Sequence, residues 1–200
     1  MFKRDRVGIL FVVSAPSGAG KTSLCRAVME RKGGISFSVS ATTRPPREGE
    51  VHGRDYLFVS REEFQRMVEN NELVEWAEVH GHLYGTPLRP LVTKTDAGED
   101  LFLDIDVQGA ENVLRYFPNS VGIFVMPRSK EVIYQRLRSR GTEGEEEIER
   151  RIAAADAEIA RFQLFHYLLL NDDFERAVED MCAIIDAERQ KIAYLREVWW

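Results

Sequence analysis

A glycine-rich segment near the start of the chain has the composition of a phosphate-binding loop. Residues 14–22 read SAPSGAGKT, follow the apolar run Val7–Val13 and precede a helical pattern. A strand, a tight turn and a helix N-terminus aim backbone N–H groups and a positive helix dipole at one point, which suits a chain of phosphates. We expect Lys21 to reach the β- and γ-phosphates of a nucleoside triphosphate and the Thr22 hydroxyl to face Mg²⁺.

The loop departs from the pattern GxxxxGK[ST] at Ala15, where the pattern has its first glycine. Gly18 and Gly20 stand where the backbone comes closest to phosphate. Glycine is required only at positive φ or at very close approach, so alanine fits at position 15 if its φ is negative. We therefore expect a working loop; the alternative is a plain glycine-rich turn between strand and helix.

Two carboxylates follow a second apolar run. Asp104 and Asp106 end the segment LFLDID at 101–106, and because side chains alternate along a strand, both are predicted to lie on one side of it. Ligands of open parallel sheets collect at the carboxyl ends of strands. One acid is expected to hold Mg²⁺ through water and the other to contact a phosphoryl acceptor. The alternative is a solvated strand end with two unrelated acids.

Arginines are concentrated in two further segments. Arg44 and Arg47 lie three apart beside two prolines that stiffen the chain, within SVSATTRPPREGE at 38–50. They predict a fork preorganised for a phosphate monoester, because guanidinium groups bind such oxygens bidentately. Arg136 and Arg140 are four apart, hence on one helix face, in a segment predicted to be a mobile flap. A solvated loop and a solvated charged helix are the respective alternatives.

The elements that must position these residues follow from the apolar pattern. Four runs are predicted as buried strands: Val7–Val13, Leu101–Ile105, Val121–Met126 and Tyr167–Leu170. Helical patterns alternate with them, which is typical of a parallel sheet covered by helices. Residues 36–85 break this rhythm and predict an inserted lobe with its own small sheet. Its predicted parts are strands at 36–41, 56–59 and 73–79 and a helix opened by the capping box Ser60-x-x-Glu63.

Composition limits the class of protein. The 200 residues are 44% hydrophobic and 30% charged, which predicts a globular chain with one substantial core. A net charge of −6 argues against general attraction to nucleic acid or anionic membranes. Cys25 and Cys182 fall at apolar helical positions and are expected to be buried thiols. The first apolar run leads straight into the phosphate loop, so we expect a core strand of a cytoplasmic protein and no membrane span. A homo-oligomer is left open.

Motifs that match one family run in the same order along the chain, from about Ile9 to Ile185. They are the phosphate loop, SATTRPPREGEVHGRDY at 40–56, EWA at 75–77, YGT at 84–86, LDIDVQG at 103–109, RLRSRG at 136–141 and ND at 171–172. With them the chain closely resembles the guanylate kinase family of the bacterial type. Within this resemblance Ala15 is a local variation of the loop.

The resemblance implies an α/β fold: a P-loop three-layer core with a central parallel sheet, an inserted mixed α/β lobe that binds the nucleoside monophosphate, and a small helical lid. The implied core is 1–37, 88–127 and 152–200, the lobe 38–87 and the lid 128–151. The implied activity transfers a phosphoryl group from ATP to GMP, and also to dGMP, with Mg²⁺. ATP and GMP are then the partners, without nucleic acid or membrane.

The resemblance also implies roles for single residues. The ATP phosphates are bound by the loop residues Ala15, Pro16, Ser17, Gly18, Ala19, Gly20, Lys21, Thr22 and Ser23. The GMP phosphate is held by Arg44, Arg47, Tyr56 and Tyr84, and the guanine is read by Ser40, Glu75, Thr86 and Asp106, with Asp104 also in the GMP site. The lid arginines over the transferred group are Arg136, Arg140 and Arg151, and Asn171 lies near the adenine. The catalytic set is Lys21, Arg44, Arg136 and Arg151; Mg²⁺ is held by Thr22 directly and by Asp104 through water.

Two other functions remain open at this point. A related kinase could act on another small phosphorylated acceptor, since the arginine fork serves any phosphate. Glu75 favours guanine, because a carboxylate is acceptor-only and suits the adjacent N1–H and N2–H₂ donors of that base. A protein-binding module of the same family, without catalysis, would have no need of Lys21, Thr22 and Asp104 together with the lid arginines.

Overall fold

The computed structural model describes residues 4–16, 18–79, 81–129, 131–133, 135 and 145–198. The strands are β1 (Arg4–Arg6), β2 (Leu10–Ser14), β3 (Ile35–Phe37), β4 (Ala41–Thr42), β5 (Leu57–Phe58), β6 (Leu73–Val79), β7 (His82–Pro87), β8 (Asp100–Asp104), β9 (Val121–Met126), β10 (Tyr167–Leu170) and β11 (Leu195–Val198). The helices are α1 (Lys21–Arg31), α2 (Arg61–Glu69), α3 (Leu88–Asp96), α4 (Val107–Tyr116), α5 (Glu145–Ile159) and α6 (Phe174–Glu188), with 3₁₀ turns at Phe162–Leu164 and Ile192–Tyr194.

Five parallel strands form the central sheet in the order β10-β9-β2-β8-β3. Side chains of β2 alternate between its two faces: Phe11 and Val13 pack with α1 and α6, whereas Leu10 and Val12 pack with α3 and α4. Both faces of the sheet are therefore covered, which is why its strands are continuous apolar runs. The predicted three-layer α/β core with a parallel sheet is confirmed.

Strand boundaries differ from the sequence pattern at several points. β9 and β10 match their predicted limits, but β2 begins at Leu10, because the backbone N–H groups of Val7 and Gly8 donate to carbonyls of Tyr194 and Thr95 outside the sheet. The predicted strand at 36–41 is wrong: β3 joins the central sheet and β4 joins another sheet. The strands β1, β7 and β11 and the helices α3 and α4 were not predicted from the pattern.

The segment between β3 and α3 forms a second sheet, in the order β5-β4-β7-β6, covered by α2. Its small core contains the buried side chains of Ala41, Phe64 and Leu83. The predicted helix start is confirmed, since the Ser60 hydroxyl accepts a hydrogen bond from the backbone N–H of Glu63 at 3.1 Å. This sheet brings β6 and β7 over the carboxyl edge of the central sheet, where α4 packs against β6.

A buried carboxylate ties the opposite edge of the central sheet together. Asp100, at the start of β8, is fully buried and accepts hydrogen bonds from the guanidinium groups of Arg6 and Arg189 and from the backbone N–H of Ile9. It therefore links the first strand, the sheet and the end of α6. Across the described residues, no helix has both the length and the apolar character needed to cross a bilayer.

Candidate active site

The phosphate loop joins the central strand β2 to α1. Gly18 and Gly20 adopt left-handed φ angles of 86° and 85°, which glycine tolerates without steric cost, and Gly20 is the N-cap of α1. In the described part of the chain, Asn71 is the only non-glycine residue with positive φ. The methyl group of Ala15 is therefore accommodated as expected, and it is buried in the core beneath the loop.

The loop is braced from the neighbouring end of the sheet. Asn171 follows β10, its side chain is 4% exposed, and its amide nitrogen donates to the carbonyl of Ala19 at 2.7 Å. This contact fixes the backbone immediately before the first turn of α1. A role of Asn171 near an adenine ring stays a prediction. Ser17 lies outside the described residues, and Ser23 is exposed in the first turn of α1.

The end of β8 lies beside the start of α1, because β8 and β2 are neighbours in parallel register with Asp104 opposite Val13. The Lys21 ammonium group lies 2.8 Å from Asp104 Oδ1 and donates to the carbonyl of Ile105 at 2.6 Å. The Thr22 hydroxyl donates to Asp104 Oδ2 at 2.5 Å. The expected proximity of these three side chains is thus observed.

Oxygen donors of this kind fit Mg²⁺, which is bound in phosphate sites by one or two protein oxygens, waters and substrate phosphates. Thr22 offers a hydroxyl and Asp104 a partly exposed carboxylate on the same side of the loop. Over the residues that the structure describes, no group of three or more histidine, cysteine, aspartate or glutamate side chains is arranged so that it could hold a metal ion by itself. The donor set therefore fits an ion that takes its other ligands from a bound nucleotide and water.

Asp106 reaches the site by a different route from the predicted one. β8 ends at Asp104, so the prediction that both acids project from one strand is wrong. Asp106 is the N-cap of α4, and its carboxylate accepts a hydrogen bond from the backbone N–H of Gly109 at 2.7 Å. The helix needs this cap because its first N–H groups have no partner within the helix. Asp106 nevertheless faces the same cavity as Asp104.

A cavity of about 200 Å³ lies between the second sheet and the carboxyl edge of the central sheet. It is lined by Ser40, Tyr56, Glu75, Ala77, Val79, Tyr84, Gly85, Asp104, Ile105 and Asp106. The structure thus brings together polar residues that lie far apart in the sequence. The lining is mixed, with aromatic and aliphatic side chains beside three carboxylates, which suits a ligand with an aromatic ring and hydrogen-bond donors.

Glu75 lines this cavity and is only 9% exposed. It faces Thr86 across the β6–β7 pair, and the Thr86 hydroxyl donates to Glu75 Oε1. Burial raises the pKa of the Glu75 carboxyl above its ordinary value; the hydrogen bond from Thr86 opposes this rise and the negative charge of Asp106 adds to it. Thr86 is itself buried and acts on the cavity through Glu75.

The Arg44 guanidinium lies beside aromatic rings that line the cavity. The Arg44 guanidinium lies 5.4 Å from the ring centre of Tyr56, whose ring packs edge-on against that of Tyr84. It also donates to both carboxylate oxygens of Glu50, at 2.8 and 3.0 Å. That hydrogen bond raises the pKa of Arg44, with a smaller contribution from Tyr84, and lowers the pKa of Glu50.

Glu50 is a residue of this site that the sequence reasoning missed. Its carboxylate also accepts from the backbone N–H of Arg47 at 2.7 Å, so it orders the turn that carries both arginines. An acid three residues after Arg47 was the available signal. The Arg47 side chain is exposed at the rim of the turn.

The predicted lid arginines fall where the structure gives no side-chain positions. Arg136 and Arg140 lie outside the described residues, and Arg151 lies within α5 at a position whose side chain is not described. In α5, Ala155 is buried against Ile133, with Ile152 and Ile159 beside them. The roles of the three arginines stay predictions.

A family model described as guanylate kinase matches residues 8–188. The chain belongs to the guanylate kinase family. It is 48% identical to a guanylate kinase of Geobacter sulfurreducens over 188 residues, which cover 94% of this chain and 93% of that protein. It is also 48% identical to one from Thiobacillus denitrificans over 188 residues, 92% of this chain and 90% of that protein. The expected family membership is confirmed.

The fold agrees with a solved guanylate kinase. The crystal structure of guanylate kinase from Anaplasma phagocytophilum superimposes with a TM-score of 0.78 at 35% identity, over 98% of this chain and 93% of that one. The described cavity and phosphate loop are therefore parts of a guanylate kinase fold.

Proposed function

We propose that this protein phosphorylates GMP, and also dGMP, with ATP as the phosphoryl donor. The observation that carries the proposal is the buried Glu75 carboxylate in a cavity that is also lined by Asp104, which contacts Lys21 and Thr22 after the phosphate loop. Family membership supports the same reaction, since its relatives are named guanylate kinases. The cavity then holds the acceptor, and the loop holds the donor.

Glu75 provides the selectivity for guanine. Guanine presents N1–H and N2–H₂ side by side, and a carboxylate accepts both hydrogen bonds. Adenine presents an unprotonated N1 at that edge, so the buried carboxylate would face a lone pair. A substrate analogue that leaves a buried polar group of the site without a hydrogen-bond partner is strongly rejected. Ser40 and Asp106, which line the same cavity, supply further polar contacts to the base.

The acceptor phosphate is assigned to Arg44, Arg47, Tyr56 and Tyr84. The Arg44 guanidinium already bonds a carboxylate, that of Glu50, through both oxygens, and a phosphate monoester presents oxygens of similar geometry. In the proposed complex Arg44 holds the phosphate between the two tyrosines. Glu50 keeps the turn ordered and balances the positive charge of the arginines that the turn carries.

The chemical step is an in-line transfer. A phosphate oxygen of GMP attacks the γ-phosphorus of ATP, the bond from that phosphorus to the β–γ bridging oxygen breaks, and ADP leaves. The attacking oxygen is already an anion, so no side-chain base is required. Lys21 stabilises the charge on the transferred group, and Arg136, Arg140 and Arg151 are assigned the same task from the lid.

Mg²⁺ belongs to the proposal as a required cofactor. Thr22 would bind it directly and Asp104 through water, and the ion would neutralise charge on the β- and γ-phosphates. A cytoplasmic location and a role in purine nucleotide metabolism are proposed with it, supported by the free thiols of Cys25 and Cys182, which are typical of reducing compartments.

The proposal is tested by ADP release from ATP across GMP, dGMP, AMP, CMP and UMP. We expect kcat/KM for GMP to exceed that for AMP by at least about 10³-fold, because the site is built on buried hydrogen bonds. Equal or better turnover of AMP would overturn the guanine assignment. Turnover of none of the five acceptors would instead favour a non-catalytic module of the family.

A further inference from the structure

The start of α4 passes so close to Glu75 that one residue of this helix has no room for a side chain. A Cβ atom built on Gly109 would lie 2.8 Å from Glu75 Oε2 and 3.2 Å from its carboxyl carbon. Non-bonded contacts between carbon and oxygen do not approach 2.8 Å without displacement of one partner. The same Cβ would be in ordinary contact with Asp106 Oδ1, at 3.4 Å.

This glycine is not required by the backbone. Gly109 is in the first turn of α4, it is not among the glycines with positive φ, and its N–H donates to the Asp106 cap at 2.7 Å. Alanine would suit this backbone and is the better helix former. The contact with the Glu75 carboxylate is therefore what an added methyl group would disturb.

Glu75 can yield only by leaving its position. Its other oxygen, Oε1, accepts the hydrogen bond from Thr86, which is itself 1% exposed, and the carboxyl group is enclosed between β6, β7 and α4. A shift of a few tenths of an ångström away from Gly109 would move the carboxylate relative to both Thr86 and the cavity.

We propose that Gly109 is a positioning residue for guanine selectivity: its missing side chain lets α4 close on Glu75 and fixes the carboxylate that reads the base. This inference rests on the proposed function. It assigns selectivity partly to a residue that touches no substrate, through the packing of a helix end against the reading side chain.

The test compares Gly109→Ala with a matched control, Gly33→Ala. A Cβ on Gly33 would meet nothing within 4 Å, and Gly33 lies in the turn after α1. For Gly109→Ala, kcat/KM for GMP is expected to fall about tenfold, because small misplacements of a binding group are costly. KM for ATP is expected to stay within about twofold, because the change lies away from the phosphate loop. Gly33→Ala should match wild type in all of these measurements.

Selectivity separates this role from a purely structural one. Inosine monophosphate lacks the 2-amino group and makes one hydrogen bond fewer to Glu75, so the preference for GMP over inosine monophosphate should narrow in Gly109→Ala. A lower melting temperature with equal losses for both acceptors and for ATP would overturn the proposal.

A double variant shows whether the effect passes through the carboxylate. In a Glu75→Ala background, assayed at high enzyme concentration, the methyl group has space and Gly109→Ala is expected to change kcat/KM by less than about twofold. An equal loss in both backgrounds would contradict the inference. If wild type does not phosphorylate GMP, the proposed function fails and this inference with it; if wild type is selective and Gly109→Ala equals it, only this inference fails.

Discussion

The ammonium group of Lys21 lies 2.8 Å from one carboxylate oxygen of Asp104, and the other oxygen accepts the Thr22 hydroxyl. The Asp104 carboxylate at the end of β8 thus bonds two side chains that follow the donor loop. Because Asp104 also lines the acceptor cavity, this pair lies where the two substrates of the proposed reaction meet.

Replacing Lys21 tests the donor half of the site. We expect Lys21→Met to lower kcat for GMP phosphorylation by about 10²–10³-fold, the cost of removing a group that stabilises charge developing in the transition state. Coupled measurement of ADP release provides kcat, and circular dichroism checks folding. Lys32→Met removes a lysine of the surface pair with Asp186 and should leave kcat unchanged. Unimpaired GDP formation by Lys21→Met would refute the catalytic scheme.

Asp104→Asn tests the proposed metal contact. Asparagine retains an oxygen that can accept the Thr22 hydroxyl, but it lacks the charge that attracts a metal-bound water. We expect the Mg²⁺ concentration for half-maximal activity to rise about 10–100-fold, as for other outer ligands of metals. Titration of Mg²⁺ at fixed ATP measures it, with Asp186→Asn as the surface control. An unchanged Mg²⁺ requirement would remove Asp104 from the metal site.

Glu75→Gln should raise stability at neutral pH and weaken the recognition of GMP. Since burial raises the pKa of Glu75, the folded protein binds this proton more tightly than the unfolded chain does, and stability falls as pH rises from the unfolded pKa through the folded one. Glutamine carries no charge, so it avoids the free-energy cost of ionising a buried carboxyl group. The variant should therefore be more stable than wild type at pH 7 and lose this advantage below about pH 4. Urea unfolding at both pH values tests the sign, and kcat/KM for GMP should fall. A variant less stable than wild type at pH 7 would contradict the argument.

Asn171→Ala tests the brace of the phosphate loop. The change leaves the buried carbonyl of Ala19 without its donor, which commonly costs about 1–3 kcal/mol. We expect KM to rise for ATP and equally for GTP as donor, with KM for GMP unchanged, because the loop binds phosphates rather than a base. A loss confined to ATP would instead support the predicted contact with adenine.

Asp100→Ala tests the buried charge cluster at the other edge of the sheet. Removing the carboxylate leaves Arg6 and Arg189 without their shared partner, and breaking such pairs costs about 3–5 kcal/mol. We expect Asp100→Ala to lower the free energy of unfolding, measured in urea, by about 3 kcal/mol. This is the low end of that range, because the two arginine side chains are 19% and 20% exposed and can be hydrated. Asp186→Ala, at the surface pair with Lys32, should cost less than about 1 kcal/mol. Similar losses in both variants would show that burial of Asp100 adds nothing.

Local patterns predicted the central features well. The apolar runs of β9 and β10 are buried strands with the expected limits, and Ser60 caps its helix as the spacing predicts. The phosphate loop and its neighbour Asp104 could also be predicted, because a strand, a turn and a helix N-terminus have one geometry and parallel strands end at one edge. These features depend on residues close together in the chain or on general rules of sheet packing.

The features that were missed depend on tertiary pairing. Polar and apolar residues alternate without a break over residues 36–41, which predicts a single strand. Nothing in this local pattern indicates that β3 pairs with β8 while β4 pairs with β7. Asp106 follows an apolar strand without a break in the pattern, so its role as a helix cap was hidden. Glu50 was missed although its spacing from Arg47 was a signal, because its bonds to Arg44 and to the Arg47 backbone depend on how the turn folds. Gly109 could not be assigned, because its importance depends on its closeness to Glu75, which is distant in the sequence.

The strand order also bears on how the chain folds during synthesis. β2 is made early but pairs only with β8 and β9, about ninety or more residues later, so the strand that carries the donor loop has no partner until β8 has been made. The second sheet draws its core from Ala41, Phe64 and Leu83 and is complete once β7 has been made, at Pro87. Because domains form as units while the chain emerges, the acceptor side can fold first. Until then, the apolar β2 segment remains an unpaired strand that is open to aggregation or to a chaperone.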